Sequence, residues 1–133
     1  MFDEKKLIEL GFDAQKFSYS PYSNFKVGAC VVTKDGKYIQ GANIENASYG
    51  LTMCAERNAL YHAYCLGYKK DDIEAVCITS NCSPCASPCG ACRQVISELM
   101  NEDALVILAS SKGDYMKLKV NELLPFAFKP EQL

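Results

Sequence analysis

The chain of 133 residues is long enough for one domain and too short for two. Hydrophobic residues make up 49% of it and charged residues 23%, which excludes disorder, and a net charge of −2 with scattered basic residues argues against a nucleic-acid polymer as partner. No apolar run approaches the roughly 20 residues of a membrane span, and the opening Met-Phe-Asp-Glu-Lys-Lys lacks the pattern of a secretory signal, so a cytoplasmic location is expected.

Residues 4–18 place Leu7, Leu10, Ala14 and Phe17 at helical spacing behind acidic residues, and Pro21 closes that helix. Phe25–Lys34 and Lys37–Ile44 are apolar, β-branched runs joined by Asp35-Gly36, a hairpin signal. Thr52 is placed to cap a helix that runs through Ala55, Ala59, Ala63 and Leu66 and stops at Gly67. Ile73–Thr79 reads as a buried strand and Ala104–Ala109 as a second one, with a helix between them from Cys89 to about Met100 and Pro88 in its first turn. The segment from Ser110 to Asp114 is too short for a parallel crossover, so the strand Tyr115–Val120 pairs antiparallel with the one before it. A short helical turn from Asn121 ends at Pro125. The order α-ββ-α-β-α-ββ-α predicts an α/β fold, a three-layer α/β/α sandwich around a five-stranded mixed sheet, in one domain over residues 1–133.

Eight cysteines depart from ordinary composition. Cys30, Cys65 and Cys77 fall in apolar periodic segments and read as small core residues. The other five are Cys54 and the run Cys82, Cys85, Cys89 and Cys92. Without a secretory signal, such a cluster points to a metal rather than to disulfides. Cys89 and Cys92, three apart at the opening of a helix, project from one face, and Cys54 lies in the first turn of another helix. Helix N-termini favour the thiolates that metals bind. Three protein ligands leave a tetrahedral zinc one open position for water, and Glu56, two residues after a ligand, is placed to move that water's proton. The alternative is a closed site built from Cys82, Cys85, Cys89 and Cys92, which would make the chain a non-catalytic zinc-binding interaction module. Its spacing fits neither a ferredoxin run nor a zinc ribbon, and it leaves Cys54-Ala55-Glu56 without a purpose. His62, the one histidine, is not followed by x-Glu and reads as a helix-surface residue.

Cys54-Ala55-Glu56 followed by Pro88-Cys89-Gly90-Ala91-Cys92 is similar to the zinc nucleoside deaminase signature. With Pro21–Ala29, Asn43-Ile44-Glu45-Asn46, Cys54–Arg57, Ser87–Gln94 and Leu123-Leu124-Pro125, the chain resembles the small homotetrameric cytidine deaminases over about residues 5–128. The resemblance implies a cytidine deaminase-like fold with one zinc per subunit on Cys54, Cys89 and Cys92. It implies hydrolytic deamination of cytidine and 2′-deoxycytidine in pyrimidine salvage, by zinc-activated hydroxide with Glu56 as proton shuttle. By the same resemblance Asn43 and Glu45 bind the ribose 3′-hydroxyl, Phe25 packs on the pyrimidine, and the main chain around Ala55 meets the base edge. Ala47 and Tyr49 match positions that approach the sugar from a neighbouring subunit, and Phe128 matches an aromatic that closes another subunit's pocket. Phe126 stands where a small residue is common in the family. A charge count adds Arg57: three thiolates on divalent zinc leave 2 − 3 = −1, and the arginine beside Cys54 can draw charge from sulfur. A deaminase for another aminopyrimidine nucleoside, such as blasticidin S, is the rival within the fold, and Asn43-Ile44-Glu45-Asn46 argues against it as a ribose-reading segment.

Overall fold

Asp35 and Gly36 turn the chain back between its first two strands, β1 (Val27–Thr33) and β2 (Tyr38–Ala42). Gly36 lies at φ +89°, which glycine enters without the penalty a Cβ brings, and the Thr33 N–H closes the loop on the Lys37 carbonyl. The computed structural model describes residues 2–82 and 85–133. Among these residues β3 (Ile73–Ser80), β4 (Leu105–Ser110) and β5 (Tyr115–Lys119) join the hairpin in a single five-stranded sheet of order β2-β1-β3-β4-β5. β3 and β4 run parallel and the other neighbours antiparallel, so the sheet is mixed and its last two strands form the expected hairpin.

Alternate residues of the central strands serve two cores, as the two-residue period of a strand requires. Val31, Val76, Ile78, Val106 and Leu108 pack under α2 (Ala55–Cys65) and α3 (Gly90–Leu99), with Ala59, Leu60, Ile96 and Met100. Cys30, Val32, Ala75, Cys77 and Ile107 face the opposite side and meet Leu7 of α1 (Glu4–Asp13). The three-layer α/β/α sandwich expected from the element order is therefore present. A final short helix, α4 (Val120–Leu123), follows β5 and precedes Pro125.

Two close approaches set the helices on the sheet. A Cβ on Gly41 of β2 would lie 2.4 Å from the Ala59 nitrogen and 2.9 Å from the Ala55 carbonyl oxygen, so α2 seats directly on that strand. At its far end α2 stops as predicted. Gly67 lies at φ +100°, and N–H groups of Gly67 and Tyr68 bond the carbonyls of Tyr64 and Ala63.

Several local expectations are corrected. The first helix ends at Asp13 and continues as a 3-10 turn over Ala14–Phe17, and Phe17 is exposed. Thr52 does not cap α2: Met53 pairs with Ile44 in an antiparallel bridge, which keeps the chain extended up to Cys54, the true N-cap. Pro88 likewise stands just ahead of Cys89, the N-cap of α3, and not within its first turn. Cys65 is exposed, because the buried stripe of α2 follows Ala55, Ala59, Leu60 and Ala63 and at 100° per residue Cys65 falls on the other flank. Cys30 and Cys77 are buried as expected, and burial pushes both thiols up to about 12. His62 is on the surface, as read.

Candidate active site

The N-termini of α2 and α3 meet at one end of the sheet and bring Cys54, Cys89 and Cys92 together. Their three sulfurs lie within 4.8 Å of one another, and Cys89 and Cys92 are 3.5 Å apart. A tetrahedral zinc with bonds of about 2.3 Å places its sulfurs about 3.8 Å apart, so the set matches the metal's size and its preference for thiolate. Cys54 and Cys89 are the N-caps of their helices, and neither uses its side chain to cap. Both sulfurs are thus left to the cluster, in the positive field of a helix N-terminus.

The electrostatics favour an anionic sulfur on Cys54. A hydrogen bond with Cys92 and the Arg57 guanidinium together hold the Cys54 thiol well below its ordinary value, to about 5, against the cost of burial. Cys92, fully buried, is pushed upward as the partner that keeps its proton beside that thiolate. Arg57 Nη2 lies 3.4 Å from Cys54 Sγ, while its buried Nε has no hydrogen-bond partner among the described residues. A half-buried cation short of acceptors suits a centre with more negative sulfur than one thiolate supplies. Three thiolates around one zinc provide it.

Glu56 is only 4% exposed, and burial, reinforced by the Cys54 charge, raises its carboxyl above the usual range. It lines a cavity of about 370 Å³ together with Cys54, Cys89, Ala55, Phe25 and Val27. Asn43, Glu45 and Tyr49 line the same cavity. Most of the residues that the sequence singled out are thereby brought to one cleft, and Arg57 stands behind it. Ala47 and Phe128 are not: Ala47 is exposed, and Phe128 lines a separate cavity with Pro125 and Lys129. Cys82 is exposed and Cys85 packs against the helix-covered core, so no four-cysteine cluster forms among the described residues.

The hydrogen bonds refine the pair beyond β2. Asn43 Oδ1 accepts from Ser18 Oγ at 2.6 Å and from the Val27 N–H at 3.0 Å, and its Nδ2 donates to the Phe25 carbonyl at 2.7 Å. Its acceptor capacity is filled, which leaves one N–H. Glu45 accepts from the N–H groups of Tyr22 and Ser23 and from Ser23 Oγ; the Ser23 hydroxyl leads in holding its carboxyl below the usual range. Glu45 therefore stays an acceptor with room for one more donor. Sequence reasoning missed Ser23, although its place in the Pro21–Asn24 turn, with Asn24 at φ +56°, marks a segment of special geometry. It also gave Arg93 no role; that side chain binds the loop ahead of Cys89, as described below.

Three thiols on two helix N-termini, a buried carboxylate beside them and an adjoining cleft define a metal-dependent hydrolytic centre. Residues 1–109 match the family model for the cytidine and deoxycytidylate deaminase zinc-binding region. The chain is 47% identical to a cytidine deaminase of Halalkalibacterium halodurans over 98% of both chains, and 37% identical to a probable cytidine deaminase of Dictyostelium discoideum over 97% of this chain and 86% of that one. Its structure is similar to the crystal structure of the cytidine deaminase from Burkholderia pseudomallei, with a TM-score of 0.93 at 45% identity over 96% of this chain and all of the other. The chain belongs to the zinc-dependent cytidine deaminase family, and the Cys54, Cys89 and Cys92 cluster fits one zinc per subunit.

Proposed function

We propose that the chain, as one domain over residues 1–133, hydrolyses cytidine and 2′-deoxycytidine to uridine and 2′-deoxyuridine with release of ammonia, in cytoplasmic pyrimidine salvage. The observation that carries this reading is the single cavity that Cys54, Cys89, Glu56, Phe25, Asn43 and Glu45 share. Cys54, Cys89 and Cys92 hold the zinc, which when bound lowers the pKa of a coordinated water toward neutrality. Glu56 takes one proton from the attacking water and passes it to ring nitrogen 3. It then takes the remaining proton of the hydroxyl added at carbon 4 and delivers it to the amino group, so that the carbonyl forms as the carbon–nitrogen bond breaks and ammonia leaves. Its burial suits this exchange, since a carboxyl raised above the usual carboxylate range holds an accepted proton more readily than an exposed one does. Asn43 donates to a sugar hydroxyl and Glu45 accepts from it, a complementary pair that supports a ribose over a sugar lacking that group. Phe25 packs on the base, and the main chain at Ala55 meets the base edge. The same pair disfavours blasticidin S. Loss of cytidine absorbance tests the reading: the zinc-loaded protein should convert both nucleosides, a strong chelator should abolish conversion, and added zinc should restore it. Inactivity of the zinc-loaded protein on both would refute it.

We further propose a homotetramer with composite pockets. Phe17, Tyr19, Tyr22, Ile44, Tyr49 and Leu51 are exposed, on segments linked by a bridge between Tyr19 and Ile44, and an apolar group of this size suits burial between subunits. Phe128 is half-exposed away from its own cleft and is suited to cover a neighbour's, with the exposed Ala47 approaching from a subunit boundary, whereas Tyr49 lines the cleft of its own chain. Mixing Glu56→Gln subunits, which keep the tail, with Phe128→Ala subunits, which keep the chemistry, should give more activity than the two parents summed. No gain after demonstrated subunit exchange, with Phe128→Ala clearly impaired alone, would place Phe128 on its own chain's pocket.

A further inference from the structure

The residues that follow Cys92 bind in two directions. Arg93 Nε donates to the Pro88 carbonyl at 2.8 Å, and its Nη2 to the Ser87 hydroxyl, so the guanidinium grips the two residues ahead of Cys89. Its Nη1 donates to the Leu123 carbonyl at 2.7 Å, at the end of α4. Gln94 Nε2 donates to the Phe128 carbonyl at 2.9 Å. One helical turn thus holds the loop that carries a metal ligand and both ends of the segment from Leu123 to Phe128.

Packing fixes the two held pieces only in part: in the ligand loop Pro88 is buried between the exposed Ser87 and Cys89. Cys89 is exposed, unlike Cys92. Beyond the buried Leu123 the tail carries Phe126 fully exposed at φ +58° and Phe128 half-exposed. With little apolar burial to secure it within its own subunit, the tail depends for its position on its hydrogen bonds to α3 and on the Lys129–Glu102 ion pair. A planar guanidinium can serve three acceptors at fixed angles, which an ammonium on a flexible stem cannot.

We propose that Arg93 is a positioning residue for Cys89, and that with Gln94 it couples metal occupancy of one subunit to the order of its own C-terminal segment. Closing Cys89 on the metal fixes Pro88 and Ser87, which fixes the guanidinium, which fixes Leu123. The consequence rests on the zinc and composite-pocket readings above: a subunit that loses its metal also slackens the tail it lends to a neighbour.

The test compares zinc-loaded and zinc-stripped protein by hydrogen exchange over residues 120–133, and measures zinc affinity by competition with a chromophoric chelator. In the native protein, zinc should slow exchange in that segment. Arg93→Ala should weaken zinc binding by roughly 10–100-fold, the usual cost of removing a group that orients a ligand, and should abolish the zinc effect on exchange. Gln94→Ala should speed exchange of the tail and leave zinc affinity within about twofold of native, since it touches no ligand loop. Arg93→Lys keeps the charge and tolerates folding, and should still alter the visible spectrum of the cobalt-substituted protein, which reports ligand geometry at the metal. Exchange indifferent to zinc in the native protein would overturn the coupling, and native zinc affinity and cobalt spectra in both Arg93 variants would overturn the positioning role. A native protein that takes up no zinc at all would instead remove the metal-site reading, and this proposal with it.

Discussion

Replacing Glu56 by Gln is expected to lower turnover by roughly 10²–10⁴-fold while zinc content and nucleoside affinity stay near native. Gln fills the same space and keeps a hydrogen-bonding carbonyl, so the buried site at the start of α2 loses only its titrating group. Among the described residues the other carboxylate lining the cleft, Glu45, is held below the usual range by Ser23 and Tyr22, which suits it to accept a hydrogen bond rather than to deliver a proton in place of Glu56. Metal analysis, nucleoside titration by calorimetry and initial rates on one preparation make the measurement complete. Near-native rates in the zinc-loaded variant would remove Glu56 from the chemistry.

The second large effect concerns Arg57. A charge-assisted hydrogen bond is worth about 1.5–3 kcal/mol, so Arg57→Ala should reduce turnover by roughly 10–100-fold through excess negative charge on the sulfur set. The 3.4 Å contact with Cys54 Sγ identifies where that charge is offset. Adding Cys54→His replaces a thiolate with a neutral imidazole and should recover part of the loss. A double variant that retains zinc and is no faster than Arg57→Ala alone would show that charge on the ligands is not what Arg57 controls.

What could be read from the sequence was what is decided locally. Asp35-Gly36 and Gly67 marked a turn and a helix stop because a positive φ is a property of one residue and its neighbours. The ligand set was legible for a related reason: Cys89 and Cys92 are brought together by helical pitch alone, and Cys54, like Cys89, stands at a helix start. Thr52 was misread because a bridge from Ile44 to Met53 holds the chain extended, and nothing near Thr52 in sequence announces it. Cys65 was misread because an apolar neighbourhood does not say which side of a helix faces the sheet. Ser23 on Glu45, across 22 residues, and Arg93 on Leu123, across 30, are pairings that only the assembled fold creates.

That neither Cys54 nor Cys89 spends its side chain on capping its own helix has a consequence for how the site tolerates mutation. Part of the positive potential facing the sulfurs comes from aligned peptide units, which side-chain substitutions on the helices themselves, proline apart, leave in place. Side-chain drift can therefore retune the centre without dismantling it, and the loss of Arg57 should produce a graded defect where the loss of a backbone turn would be total. The fold carries a share of the catalytic electrostatics as architecture, inherited with the chain path rather than with the identity of any one residue.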